Sequence, residues 1–419
     1  MRRTISRGLA AGILASLTIF SPLSAEENVV TIRFEDLTDA LDSHPLLLQA
    51  SDAEAAAEAK LLAASRWDDP VLGLSTGWAE SLEGDHRGRS GEIELELDLP
   101  LPGRYRNQVT AARAARDAAI RETRALRREL YSDLASRFWE IARDQEWLRR
   151  LELSRQALAQ LLELTRRRVD IGEARPADLL RFEIEDARLD AEIRAARSES
   201  KAKRRNLARQ MRLPSGVDFQ VESSFEIPGE PLAFEELLAR QDRSHPGLEA
   251  ARLRSESAEA ALRAESWGRL PDPSLRLFAA RELDAEEVGI GLAFPLPLWN
   301  RNGPGLAAAK AEAQSAWHAE SLSSLEAAEA LETARAGMVA AREVARAMQA
   351  EVIPRAKRAT EILSRMYEVG EVGVFELVEA RRGLMEIELE GLDALLECHL
   401  AHLDLQTLTG ESCHEIETH

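Results

Sequence analysis

The sequence is poor in cysteine, with 2 in 419 residues, and poor in aromatic residues, at 5%. Two cysteines cannot build a disulfide framework, so the fold must be held by packed apolar surface. Beyond the first 25 residues there is no run of about 18 apolar residues, which excludes a membrane-spanning helix. Positive charge is deficient, with 54 Lys and Arg against 73 Asp and Glu and a net charge of −19. Loss of Arg2, Arg3 and Arg7 with a leader brings the mature chain to about −22. That balance argues against nucleic acid or an anionic surface as partner. Catalytic signatures are missing too: there is no HExxH, no Walker loop, no glycine-flanked nucleophilic serine and no complete GxGxxG. Gly289-Ile290-Gly291 is a lone GxG inside a strand pattern, where small residues ease packing. Neither an enzyme nor a bound cofactor is expected.

What is present starts with a leader. Three arginines precede the apolar run Leu9 to Phe20, and Leu23-Ser24-Ala25 offers small residues for cleavage. Residues 1–25 therefore read as a signal peptide. No cysteine follows the cleavage site, which argues against a lipid anchor. An exported chain without a spanning helix is either soluble or inserts as a β-barrel.

The chain is internally duplicated. Ser43-His44-Pro45 returns as Ser244-His245-Pro246, and each is followed by an alanine-rich helical stretch. Those stretches end at Trp67 and Trp267, then at Asp69-Pro70 and Asp272-Pro273. Pro100-Leu101-Pro102 returns as Pro295-Leu296-Pro297, and Ile171-Gly172-Glu173 as Val369-Gly370-Glu371. The pairs keep one order at separations of about 195 to 203 residues. The expected organisation is a first repeat over 26–213, a linker over 214–231, a second repeat over 232–410 and a tail over 411–419. The linker assignment rests on five prolines or glycines and little periodicity. His44 and His245 each precede a proline at a helix break, where a structural role outweighs a ligand role.

Each repeat reads helix, strand, strand, long helix, turn, helix. The first hairpin is expected over 70–99, with its loop from Glu80 to Ser90, and the second over 273–296. Ile93, Leu95, Leu97 and Leu99 alternate with Glu92, Glu94, Glu96 and Asp98, so aliphatics take one face and carboxylates the other. In the second hairpin Leu275 and Leu277 alternate with Ser274 and Arg276, and Val288, Ile290, Leu292 and Phe294 follow the same period. Strands of nine or ten residues suit a tilted bilayer crossing. Four strands cannot close a barrel, and open edges in lipid cost several kcal/mol per unpaired group. Several copies must share one barrel; three give twelve strands.

The helices are long. From Arg106 to Asp170 there is no proline or glycine, about 95 Å of helix. Leu134, Ile141, Leu148, Leu162 and Val169 fall at multiples of seven, broken by Arg155. After a turn over 172–176, Leu179, Phe182, Leu189, Ile193 and Ala196 continue the a/d spacing, as an antiparallel coiled coil requires. The second repeat does the same from Ala307 to Val369, interrupted at Pro354, and from Val374 to Leu408 around a turn over 370–374.

The ordered duplication, the PLP turns and the Gly-Glu helical tips resemble the TolC family of outer-membrane efflux proteins. Pro295-Leu296-Pro297-Leu298-Trp299-Asn300-Arg301-Asn302 is most similar to the branch that works with heavy-metal cation pumps. The resemblance implies a mainly α protein with a membrane β-barrel: a homotrimer whose 12-stranded barrel stands on a periplasmic helical tunnel in the outer membrane. The implied partners are outer-membrane lipid, a periplasmic adaptor and an inner-membrane pump of the resistance-nodulation-division type. The implied activity is passive export, with drug efflux or type I protein secretion as alternatives to metal efflux. The family's periplasmic gate maps by position onto Tyr367, Gly370, Glu376 and Glu379, with Asp178 at the first tip beyond Gly172. Val372 stands where the family has an arginine, and Arg175 is the substitute cation at hand. Glu92, Glu94, Glu96 and Asp98 are expected to line the barrel lumen.

Metal-ligand chemistry gathers only near the C-terminus, in Cys398, His399, His402, Cys413, His414 and His419. Cys398 and His402 are four apart and share a helical face, a weak candidate for a soft cation. A disulfide between Cys398 and Cys413 is the competing reading in an oxidising compartment. Two other function classes make distinct predictions. A periplasmic adaptor would carry one helical hairpin between β-rich domains, and a secreted coiled coil would lack the paired amphipathic strands.

Overall fold

The computed structural model describes residues 30–80, 87–214, 218–282, 285–298 and 301–410. The signal peptide, Trp299, Asn300 and the tail with Cys413, His414 and His419 lie outside the described residues. In chain order the first half holds β1 (Val30–Ile32), α1 (Asp36–Leu41), α2 (Pro45–Ala64), β2 (Val71–Glu80), β3 (Arg87–Asp98), α3 (Pro102–Asp170) and α4 (Pro176–Gln210). The second half holds β4 (Phe219–Val221), α5 (Phe234–Ser244), α6 (Pro246–Trp267), β5 (Ser274–Glu282), β6 (Ala285–Ala293), α7 (Gly303–Ala347), α8 (Ile353–Glu368) and α9 (Val374–Thr409). The duplication is visible in this order: α2-β2-β3-α3-α4 repeats as α6-β5-β6-α7-α8-α9.

Helix starts follow from local chemistry. His44 and His245 are the residues before α2 and α6, and a proline occupies the first position of each helix. The Nδ1 of His44 accepts from the Leu46 amide at 3.3 Å, and that of His245 from the Leu248 amide at 3.2 Å. These caps satisfy amides that the helix itself cannot. Burial pushes the His245 imidazole below its ordinary range, which keeps Nδ1 available as an acceptor.

α3 runs for 69 residues, about 100 Å. Its lower half pairs with α4, burying Leu158, Leu161, Phe182, Leu189 and Ile193. Its upper half carries Ala114 and Ala118 where the lower half has leucines, and it packs on α6, which buries Ala250, Ala260 and Ala264. Small side chains let those two backbones approach closely. The second descending helix is interrupted as expected at Pro354. A π turn, Met348–Val352, precedes it, closed by the Ile353 amide donating to the Met348 carbonyl. α9 passes this turn at Gly391, where an added Cβ would sit 2.6 Å from Ile353 Cδ1.

The segment over 214–231 that joins the repeats carries a short strand: β4 pairs in parallel with β1, and Phe219 and Val221 are buried with Ile32, Leu37, Phe138 and Leu207. The alternation Phe-Gln-Val was too short to stand out in sequence, but it suffices for three ladder rungs. The first hairpin is also longer than its loop composition suggested. β2 reaches Glu80 and β3 begins at Arg87, because Gly88, Ser90 and Gly91 leave the backbone free to continue the ladder.

The four longer strands form one antiparallel sheet in the order β2-β3-β5-β6. The central seam joins the two repeats, with Ile93 opposite Ala279, Leu95 opposite Leu277 and Leu97 opposite Leu275. β2 and β6 are the sheet edges.

Candidate functional site

The sheet register sorts side chains of all four strands onto two faces. Leu72 lies opposite Leu95, Leu74 opposite Ile93, Leu275 opposite Leu292 and Leu277 opposite Ile290. Period-two alternation therefore aligns Leu72, Leu74, Ile93, Leu95, Leu97, Leu275, Leu277, Val288, Ile290 and Leu292 on one face. Val288 and Leu74 are 84% and 74% exposed, so nothing among the described residues covers this apolar face. An uncovered face of this extent needs a partner of matching polarity.

The opposite face carries Glu92, Glu94, Glu96 and Asp98 with Ser274, Arg276 and Glu287. Arg276 Nε lies 3.2 Å from Glu94 and 3.4 Å from Glu96. The Ser274 hydroxyl donates to Glu96 at 2.7 Å. Arg276 thus holds two of the four carboxylates, and Glu92 and Asp98 remain exposed to either side. Phe278 lies across Gly289 on this face, so an added Cβ there would sit 2.4 Å from its ring. The packing role assigned to the Gly289-Ile290-Gly291 glycines is met there.

Where the hairpins meet the helices, the repeats interlock. Asp272 accepts from the Leu101 amide at 3.0 Å and from Arg104 at 2.5 Å, tying the second Asp-Pro corner to the first PLP turn. Trp267 packs flat against Gly103, where even a Cβ would clash at 2.2 Å.

At the far end of the helices lie the two tips. Gly172 and Gly370 have φ of +80° and +82°, a conformation other residues rarely adopt. Each closes a Schellman motif. Gly172 and Glu173 amides donate to Val169 and Arg168 carbonyls, and Gly370 and Glu371 amides to Tyr367 and Met366 carbonyls. Pro176 then opens α4, and Gly373 precedes α9.

The tips are joined by contacts between the helical hairpins. Tyr367 is buried, and its hydroxyl lies 2.6 Å from Thr165 Oγ1. Thr165 gives its one proton to the Leu161 carbonyl at 2.8 Å, so Tyr367 must be the donor to Thr165. Arg168 donates to the Tyr367 and Glu368 carbonyls and places its guanidinium over the Tyr367 ring, capping the negative end of α8. The Phe182 ring meets Tyr367 edge-on at 5.7 Å.

Asp178 turns inward to its own tip. Arg175 Nε donates to it at 3.2 Å, so the substitute cation named from sequence is its partner. Glu376 and Glu379 are exposed on the first turns of α9, on one face. Glu379 meets Arg382 at 3.4 Å, and Arg382 reaches across to the buried Glu185 of α4 at 2.5 Å. That hydrogen bond raises the Arg382 pKa further above its ordinary value. Sequence reading missed the Glu185–Arg382 bridge and the Thr165 partner of Tyr367. These pairs are 197 and 202 residues apart, and nothing local marks them.

The Cys398 thiol is buried beside Leu331, Met338 and Leu395, and burial raises its pKa. Neighbouring His399 stacks on Trp139 with ring centroids 3.7 Å apart. Among the described residues no group of three or more His, Cys, Asp or Glu is placed to hold a metal ion, so Cys398 and His402 do not form a site with neighbours there.

Residues 37–211 and 237–411 each match the family model described as outer membrane efflux protein. The chain is 22% identical over 325 residues to the cobalt-zinc-cadmium resistance protein CzcC of Cupriavidus metallidurans, covering 77% of each protein. The fold matches the crystal structure of CusC with a TM-score of 0.75 at 18% identity, covering 94% of this chain and 96% of that one. It matches the outer membrane protein VceC of Vibrio cholerae with a TM-score of 0.72 at 18% identity, covering 90% and 96%.

Proposed function

The chain belongs to the outer membrane efflux protein family, and on that premise we propose that three copies form a passive export conduit for heavy-metal cations. No bond is broken in this activity; the driving energy comes from an inner-membrane pump of the resistance-nodulation-division type, coupled through a periplasmic adaptor. The observation that carries the reading is the two-faced sheet with unpaired edges. β2 and β6 expose backbone donors and acceptors that lipid cannot satisfy, and pairing β6 of one copy with β2 of the next closes a barrel of twelve strands. The apolar face then meets lipid and the face of Glu92, Glu94, Glu96 and Asp98 lines the lumen.

The cargo assignment rests on charge. The lumen face carries more carboxylates than Arg276 can neutralise, and Glu376 and Glu379 repeat the theme at the periplasmic entrance. Three-fold symmetry turns each into a ring, and rings of carboxylates concentrate cations and hold multivalent ones. The likeness to a cobalt-zinc-cadmium resistance protein supports the same cargo class. Tyr367, Arg168 and the Glu185–Arg382 bridge fasten the tips at rest, and adaptor contact releases them.

Conductance of the purified protein in planar bilayers tests this. Replacing Glu376 and Glu379 together by Gln is expected to weaken cation preference and block by di- and trivalent ions. Unchanged selectivity and unchanged block would remove these residues from the entrance. A folded monomer by mass measurement in detergent would overturn the shared barrel.

A further inference from the structure

We propose that Trp78 and Arg89 form a binding site for the phosphate headgroup of an outer-leaflet lipid. The proposal rests on the reading of the sheet as part of a membrane barrel. Trp78 and Arg89 are cross-strand partners near the hairpin end, on the apolar face rather than the acidic one. The Arg89 guanidinium lies 5.7 Å from the centroid of the Trp78 ring, and Trp78 is 79% exposed.

Among the described residues, charge on this rim is almost balanced, with one exception. Arg87 pairs with Glu80 at 2.9 Å, and Arg281 with Glu286 at 3.6 Å. The register puts all four of these side chains on the same face as Trp78. Among the described residues Arg89 has no carboxylate partner, only the indole beneath it. Among the described residues the rim therefore offers one guanidinium without a carboxylate, held over an aromatic ring.

The depth of the pair identifies the occupant. Below Arg89 on β3, the same face carries Gly91, Ile93, Leu95 and Leu97. From Leu97 to Arg89 is about 27 Å along the strand. A barrel tilt of about 40° reduces this to roughly 20 Å of height, close to the full apolar band of about 25 Å. Trp78 and Arg89 then sit at the boundary facing away from the helices, where aromatic side chains mark the headgroup level. A guanidinium there meets lipid phosphate, an anion that accepts its paired N–H donors. The tryptophan beneath keeps the arginine's apolar stem against the acyl boundary.

The full-length protein purified in detergent is exchanged into phosphatidylcholine nanodiscs doped with lipid A or with enzymatically dephosphorylated lipid A. Bound lipid is then counted by native mass spectrometry. Wild type is expected to retain the phosphorylated lipid about tenfold better, the scale of one charge-assisted contact. Arg89→Gln should lose that preference, Arg89→Lys should keep part of it, and Arg281→Gln, which removes an already paired cation, should leave it intact. Millimolar inorganic phosphate should not displace the lipid; displacement would mean a free-anion site and overturn the lipid assignment. Equal retention of both lipids by wild type, or undiminished preference in Arg89→Gln, would overturn the proposal while conductance leaves the channel reading standing. If wild type neither inserts nor conducts, the channel reading fails and this proposal with it.

Discussion

Leu95 offers a direct probe of the barrel. It lies on β3 between Leu72 and Leu277, on the apolar face, with Glu94 next to it on the acidic face. It is six residues below Arg89, about 20 Å along the strand and roughly 15 Å down a tilted barrel wall. With the rim at the headgroup level of a band about 25 Å tall, Leu95 falls near the midplane. A lysine there should cost roughly 2–4 kcal/mol per copy, whereas one at the rim costs about 0–1 kcal/mol. Leu95→Lys should therefore lower the denaturant midpoint of the membrane-embedded protein far more than Trp78→Lys. Cysteine accessibility gives the independent check. A hydrophilic maleimide should label Glu94→Cys through the lumen and fail to label Leu95→Cys in intact vesicles. Ready labelling at 95 with protection at 94, or a loss below about 0.5 kcal/mol for Leu95→Lys, would refute the assignment of faces.

Three further outcomes concern the helical tunnel. Gly172→Ala and Gly370→Ala should each cost about 1–2 kcal/mol from backbone strain alone, because no atom lies within 4 Å of the added Cβ; unchanged thermal stability would contradict the turn geometry. Arg382→Gln leaves Glu185 buried with only a distant Arg188 at 3.7 Å, and should cost about 2 kcal/mol, less than a fully buried pair because Arg382 is 34% exposed. Channel conductance should rise as the tips loosen, and a silent variant would exclude the bridge from the gate. His399 is held down to about 4 by burial, so the unfolded chain binds its proton first as pH falls below about 6.5. The stability it contributes is complete above pH 6.5 and is lost as pH falls toward 4, by up to about 3 kcal/mol. His399→Phe should flatten the unfolding midpoint across that window, and an unaltered pH profile would count against the buried neutral imidazole.

Much of this molecule was written into local sequence pattern. The absence of proline and glycine from Arg106 to Asp170 set the length of the great helix, and α3 extends only a few residues beyond it. The alternation from Glu92 to Leu99 assigned each side chain to a face before any partner strand was known. Gly172 and Gly370 marked the tips because only glycine takes a positive φ there without strain. His44 and His245 marked helix breaks by standing before proline, and the structure shows them capping α2 and α6. These are properties of a residue and its neighbours within one or two turns, so periodicity and conformational preference suffice to read them.

What the tertiary structure alone decided are the meetings between distant elements. Periodicity says which face a side chain takes on its own element, but not what that face will touch. The seam between β3 and β5 brought Arg276 between Glu94 and Glu96 and changed four bare carboxylates into a partly neutralised row. The same kind of long-range pairing gave Tyr367 its acceptor in Thr165, and gave Glu185 its cation in Arg382. β4 became a strand only because β1 lay beside it, since three residues with one alternation gain their order from the ladder and not from intrinsic preference.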